Sequence, residues 1–153
     1  SVMIKPNKIG HVVLNVRDLE SSLEFYSEIL GFEVVVKQPD GSGAFLTCGQ
    51  VHHDLALFQA KDDALPVKRG QLGLNHFAVQ IGGPEDLKET YRLLQEKGVP
   101  IDYTVDHGMT ASVYFFDPEG NKIEFFYDKC ETDDEGLAMM RSPDRRNTKL
   151  VLE

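Results

Sequence analysis

The chain repeats its own pattern, and that repeat limits the folds open to it more than any other feature of its 153 residues. The segment IGHVVLNV (9–16) has the β-branched alternation of a strand. Asp18 then stands where a helix N-cap belongs, ahead of Leu19, Leu23, Tyr26 and Leu30 at helical spacing. Gly31 follows as the residue that ends such a helix. Three strand-like runs come next, FEVVVKQ (32–38), GAFLTCG (43–49) and DLALFQA (54–60), with PDGSG as the turn between the first two.

The second pass starts at LNHFAVQI (74–81). GGP (82–84) opens a helix that carries Leu87, Tyr91 and Leu94 on one face and stops at Gly98. VPIDYTV (99–105), ASVYFFD (111–117) and NKIEFFY (121–127) read as strands, the last two joined by a tight turn over 117–121. Each half is thus a βαβββ module, and neither covers its own sheet. The expected fold is α+β: one domain over 1–153, with module one at about 8–60, module two at about 74–128 and a tail at 129–153. The modules pair into one curved eight-stranded sheet, a half-open barrel, with the helices outside. The tail breaks the pattern: only GLAMM and KLVLE have packing character, which fits an ordered wrap, a subunit contact or a frayed end.

Composition narrows the function. A net charge of −9 argues against nucleic acid, whose phosphates need clustered Lys and Arg. No apolar run approaches the roughly 20 residues of a membrane helix, and SVMIKPNK has no apolar signal core. The expectation is a cytoplasmic protein with no membrane partner. Cys48 and Cys130 have no zinc-site spacing; they read as two reduced, buried thiols, with one disulfide between them as the alternative.

His11 and His76 occupy matching positions in the opening strands of the two modules, and equivalent strand positions face the same interior. Glu124 lies in the apolar run KIEFF, where a carboxylate is costly to bury without a partner. A divalent cation held by His11, His76 and Glu124 supplies that partner. Two imidazoles and one carboxylate, with the remaining positions open, are the ligand set of non-haem Fe(II) oxygenases.

GHVVLNVRDLESSLEFYSEILGFEV, LNHFAVQ and VYFFDPEGNKIEFF resemble the vicinal oxygen chelate superfamily over roughly residues 8 to 128. That group includes glyoxalase, methylmalonyl-CoA epimerase, fosfomycin-modifying thiol transferases and type I extradiol catechol dioxygenases. Glyoxalase-like and epimerase-like members carry a fourth ligand on the last strand of the first module. Superposing DLALFQ on KIEFFY puts Ala56 there, which leaves three ligands. HHDLAL (52–57) is similar to the extradiol motif, and the resemblance gives His53 an acid–base role near bound oxygen. It implies that His107 hydrogen-bonds a substrate hydroxyl and that Tyr114 assists catechol ionisation, while His52 is a solvent-side neighbour.

The resemblance therefore implies a single-domain, catechol 2,3-dioxygenase-like enzyme using Fe(II), with Mn(II) as the alternative ion. Its partners would be a small aromatic diol and O₂, and the chain would form a homodimer or higher homo-oligomer. The alternatives are a metal-dependent thiol transferase of the fosfomycin-resistance type and a metal-free small-molecule binding protein. The transferase wants basic groups near the metal, and the FFYDKCETDDE that follows Glu124 is mostly acidic.

Overall fold

A computed structural model describes residues 3–153. The chain divides into two compact units, 1–65 and 66–153, each built as strand, helix and three strands. The α+β expectation of two βαβββ modules holds. The single eight-stranded sheet does not: the described strands form two hydrogen-bonded sheets, of four strands in the first unit and five in the second.

In the first unit β1 (Val12–Val16) pairs in parallel with β4 (Leu55–Gln59), and β3 (Gly43–Thr47) and β2 (Glu33–Lys37) continue the sheet antiparallel. β1 is shorter than the sequence pattern suggests, and His11 lies just before it. Its ladder begins where Val12 meets Leu55, because residues 51–54 belong to the turn from β3 into β4. Helix α1 (Leu19–Glu24) starts on Asp18, whose carboxylate accepts from the Ser21 N–H at 3.2 Å, as its position in the sequence suggests. It continues through a π-helical turn over Phe25–Ile29. Gly31 then leaves it at φ +84°, a conformation side chains disfavour. Leu14, Val16, Leu23, Tyr26, Leu55 and Leu57 are all buried in this unit.

The second unit runs β5 (His76–Gln80), α2 (Pro84–Glu96), β6 (Ile101–Asp106), β7 (Thr110–Phe116) and β8 (Lys122–Asp128). β5 lies parallel to β8, and β7 lies antiparallel between β8 and β6. Side chains alternate across this sheet. Val113 and Phe115 on β7, with Ile123 and Phe125 on β8, form cross-strand pairs of one face and are buried. Leu87 and Leu94 are the buried residues of α2, which packs on β7 and β8. The other face of the same strands carries Ser112, Tyr114 and Glu124, so helix packing fixes the strands that present these polar groups.

The tail is structured. Thr132 caps α3 (Asp133–Arg141) by accepting from the Glu135 N–H at 3.2 Å. The chain then returns to add a short ninth strand, β9 (Thr148–Lys149), antiparallel to β6. Cys48 and Cys130 are free, as expected of reduced thiols, but neither is fully buried and Cys48 is exposed. Among the described residues no helix is long and apolar enough to cross a membrane.

Candidate active site

Four of the residues singled out in the sequence come together in the second unit. β5 and β8 place Ala78 opposite Glu124, so His76 sits one pleat away on the same face. His76 Nε2 lies 3.1 Å from Glu124 Oε1, and Glu124 is only 9% exposed. The other ring nitrogen, Nδ1, is 2.6 Å from Asn75 Oδ1. An amide oxygen only accepts, so Nδ1 carries the proton. A neutral His76 then turns the lone pair of Nε2 toward a carboxylate oxygen, and two acceptors at that distance repel. A positive charge resolves the conflict, either a proton on Nε2 or a metal ion held between the two side chains. Two ligand atoms bonded to one ion at about 2.1 Å and at right angles lie about 3.0 Å apart. The observed pair matches that spacing, so these residues fit a divalent cation.

Glu124 is further fixed by Ser112, whose hydroxyl donates to Oε2 at 2.5 Å in a buried setting. Tyr114 stands directly across the β7–β8 ladder from Glu124. Burial pushes the Tyr114 phenol well above its ordinary pKa, and the negative charge of Glu124 and the neighbouring Tyr103 push it the same way. Tyr114 thus remains an O–H donor, and its hydroxyl oxygen lies 3.0 Å from His107 Nε2. The Nδ1–H of His107 is left to donate to Asn147 Oδ1 at 2.8 Å. His107 itself rides on the turn from β6 to β7, where Gly108 adopts φ +88° and the His107 N–H bonds the Thr110 carbonyl at 2.8 Å. Tyr103 stacks on Tyr114 with ring centroids 4.5 Å apart, and His76 meets the Tyr114 ring at 5.2 Å, edge to face.

A cavity of about 530 Å³ opens onto this cluster. His107, Tyr114 and Glu124 give it a polar wall, while Met109, Phe126 and Met140 give it an apolar one. The tail supplies Arg145 and Asn147 to its lining. A small polar cluster beside apolar surface is the make-up of a small-molecule pocket.

The remaining predicted residues belong to the first unit. The His11 ring lies 4.2 Å from that of His53, centroid to centroid, and Phe45 meets His53 edge-on at 5.2 Å. His52 is exposed, on the solvent side as expected, and its Nδ1 lies 2.6 Å from His53 Nδ1. Partial desolvation, then the charges of His11 and His52, hold His53 below the ordinary imidazole pKa. It is therefore largely neutral near pH 7. Among the described residues no group of three or more His, Cys, Asp or Glu side chains is set to hold a metal ion.

The registers of the two units are equivalent. Val13 pairs with Ala56 in the first as Ala78 pairs with Glu124 in the second, so Ala56 occupies the position that Glu124 holds in the repeat. An alanine there contributes no ligand. Ser112, Asn75, Asn147 and Arg145 were not singled out in the sequence. For Ser112 a signal existed: it is a polar residue in the apolar run ASVYFF, one pleat from Tyr114.

Comparison with known proteins decides the family. Residues 8–125 match the model of the Glyoxalase/Bleomycin resistance protein/Dioxygenase superfamily. The chain belongs to that superfamily. It is 34% identical over 138 residues to biphenyl-2,3-diol 1,2-dioxygenase 2 of Rhodococcus globerulus, covering 90% of this chain and 71% of that protein. It is also 34% identical over 118 residues to the metallothiol transferase FosB of Lysinibacillus sphaericus, covering 76% of this chain and 79% of the relative. Among solved structures, the lactoylglutathione lyase of Agrobacterium tumefaciens superposes with a TM-score of 0.62 at 26% identity, over 80% of this chain and 94% of that one. The relatives within this superfamily are thus enzymes of more than one reaction type.

Proposed function

We propose that this superfamily member is an extradiol dioxygenase, which opens an aromatic ring beside two vicinal hydroxyls using Fe(II) or Mn(II) held by His11, His76 and Glu124. The observation that carries the reading is the His76–Glu124 pair. Its imidazole is oriented by Asn75, its carboxylate by Ser112, and the two acceptors face each other at cation-sharing distance. Ala56 at the repeat position of Glu124 supports a set of three protein ligands, which would leave room for a substrate that chelates through two oxygens. When bound, the metal supplies charge stabilisation to the ionised diol and a route for electrons between diol and O₂. The relative named for a biphenyl-2,3-diol supports an aromatic vicinal diol as the substrate class.

The residues of the chain handle the protons. Tyr114 is held as a donor and His107 Nε2 as an acceptor 3.0 Å away, so a diol hydroxyl brought between them can give up its proton to His107 while Tyr114 hydrogen-bonds the oxygen left behind. Asn147 keeps the His107 ring turned for this task. His53, largely neutral near pH 7, is assigned the proton transfers on the oxygen side. Met109, Phe126 and Met140 cover the ring of the substrate and exclude water.

The test is metal content after purification without oxygen. The parent should hold one Fe(II) or Mn(II) per chain, and His11→Ala, His76→Ala and Glu124→Ala should each lower occupancy at fixed free metal. A His11→Ala protein that keeps the parental affinity removes His11 from the ligand set. The second reading, a metallothiol transferase, draws support from the FosB relative and from one basic group, Arg145, in the cavity lining.

A further inference from the structure

We infer that Arg145 selects a substrate bearing an anionic oxyacid group, so that the preferred ligand is an aromatic diol with a carboxylate side arm. This rests on the extradiol reading above and adds the substrate class to it. The tail is what puts Arg145 in the cavity wall. Lys129 N–H bonds the Met109 carbonyl at 2.7 Å, β9 pairs Thr148 and Lys149 with Asp106 and Val105, and Thr104 Oγ1 donates to the Leu150 carbonyl at 2.7 Å. Between those anchors Asn147 is held to His107, and Arg145 stands two residues before it. The stretch that carries Arg145 is therefore tied at both ends to the strand and turn that carry His107.

The charge on Arg145 is not spent inside the protein. Arg69 pairs with Asp102 and Arg92 with Glu89 and Glu96, whereas Arg145 has no hydrogen bond or ion pair among the described residues. The chain as a whole carries −9, so an unpaired guanidinium on a substrate cavity runs against the overall charge. A guanidinium binds a carboxylate through two parallel hydrogen bonds, which recognises shape as well as charge. The apolar wall meanwhile takes a ring, and the Tyr114–His107 pair takes hydroxyls. One ligand satisfies all three surfaces: a ring with two hydroxyls and a short anionic arm.

A phosphonate shares the anionic chemistry without the ring, so the test separates the two sources. Binding is measured by calorimetry without oxygen on the metal-loaded protein, using 3-(2-carboxyethyl)catechol, the uncharged 3-propylcatechol and methylphosphonate. The parent should bind the carboxylated catechol at least about tenfold more tightly than the propyl compound, the range of a charged hydrogen bond. Arg145→Gln should bring the two within about threefold of each other, and Arg145→Lys should retain part of the preference. The exposed position of Arg145 makes both variants compatible with folding, which melting curves check. Equal binding of both catechols by the parent, or an undiminished preference in Arg145→Gln, overturns the inference and leaves the extradiol reading standing. Binding of methylphosphonate with neither catechol bound overturns both.

Discussion

Ser112 donates its hydroxyl to Glu124 Oε2 across 2.5 Å, and both side chains are buried on the polar face of the β7–β8 ladder. The carboxylate is thus aimed at His76 before any ligand arrives. Partners that orient a metal ligand typically influence metal affinity by about 10–100-fold. Ser112→Ala should accordingly bind Fe(II) about 10-fold or more weakly, with the fold intact. Equilibrium titration against a competing chelator, alongside circular dichroism, checks this. An unchanged affinity would remove Ser112 from the site.

Asn147 is the tail's hold on the His107 ring. Asn147→Ala leaves the Tyr114–His107 pair in place but frees the imidazole to rotate. Catechol turnover should fall by about tenfold or more, since a group out of alignment loses much of its general-base advantage. Metal content should stay at the parental level. Steady-state kinetics with parallel metal analysis reads both, and a simultaneous loss of metal would contradict the division of labour.

His53 offers a comparison from the other unit. Replacing it with Phe keeps a planar ring beside His11 and Phe45 and deletes the proton carrier. His53→Phe should retain iron and turn over at least about 100-fold more slowly. Rapid-mixing single-turnover measurements test this. Ring cleavage at the parental rate takes His53 out of the chemistry.

Much of this was readable in the chain itself. Asp18 and Gly31 marked the ends of the first helical segment by their own chemistry, and Glu124 stood out as a carboxylate in an apolar strand, which β5–β8 pairing puts on the face of His76. Ala56 as the counterpart of Glu124 followed from the repeat, and the strand registers agree. Asn147 and Arg145 were not readable. They reach the cavity through a two-residue strand and one side-chain contact, from Asn147 to His107 40 positions away, and no periodicity encodes such a return. The sheet count differs from expectation because matched repeats specify the strands of each module but say nothing about hydrogen bonds from one module to the other.

The turn that carries His107 has its own pH dependence. Asp106 accepts from Lys129 Nζ and from the Gly108 N–H, and the Lys129 hydrogen bond chiefly holds its carboxyl below the usual carboxylate pKa. A depressed folded value means the contribution is fully present above the unfolded pKa of about 3.9 and fades as pH falls through the folded value. Asp106→Asn should melt below the parent at pH 7, and the gap should narrow as pH drops below about 4. Thermal melts from pH 7 to pH 2.5 check the trend. A gap that widens toward acid would reverse the sign and contradict the assignment.

The most direct test of extradiol function is one anaerobic loading of the protein with Fe(II) and 3-substituted catechol, followed by a pulse of O₂. Product is followed by absorbance and mass spectrometry, with Glu124→Ala as the control. The account predicts one ring-opened product per iron-loaded chain, containing both atoms of O₂, and none from the control, whose carboxylate ligand is gone. Iron-loaded parent protein that binds the catechol and leaves its ring intact would contradict the account.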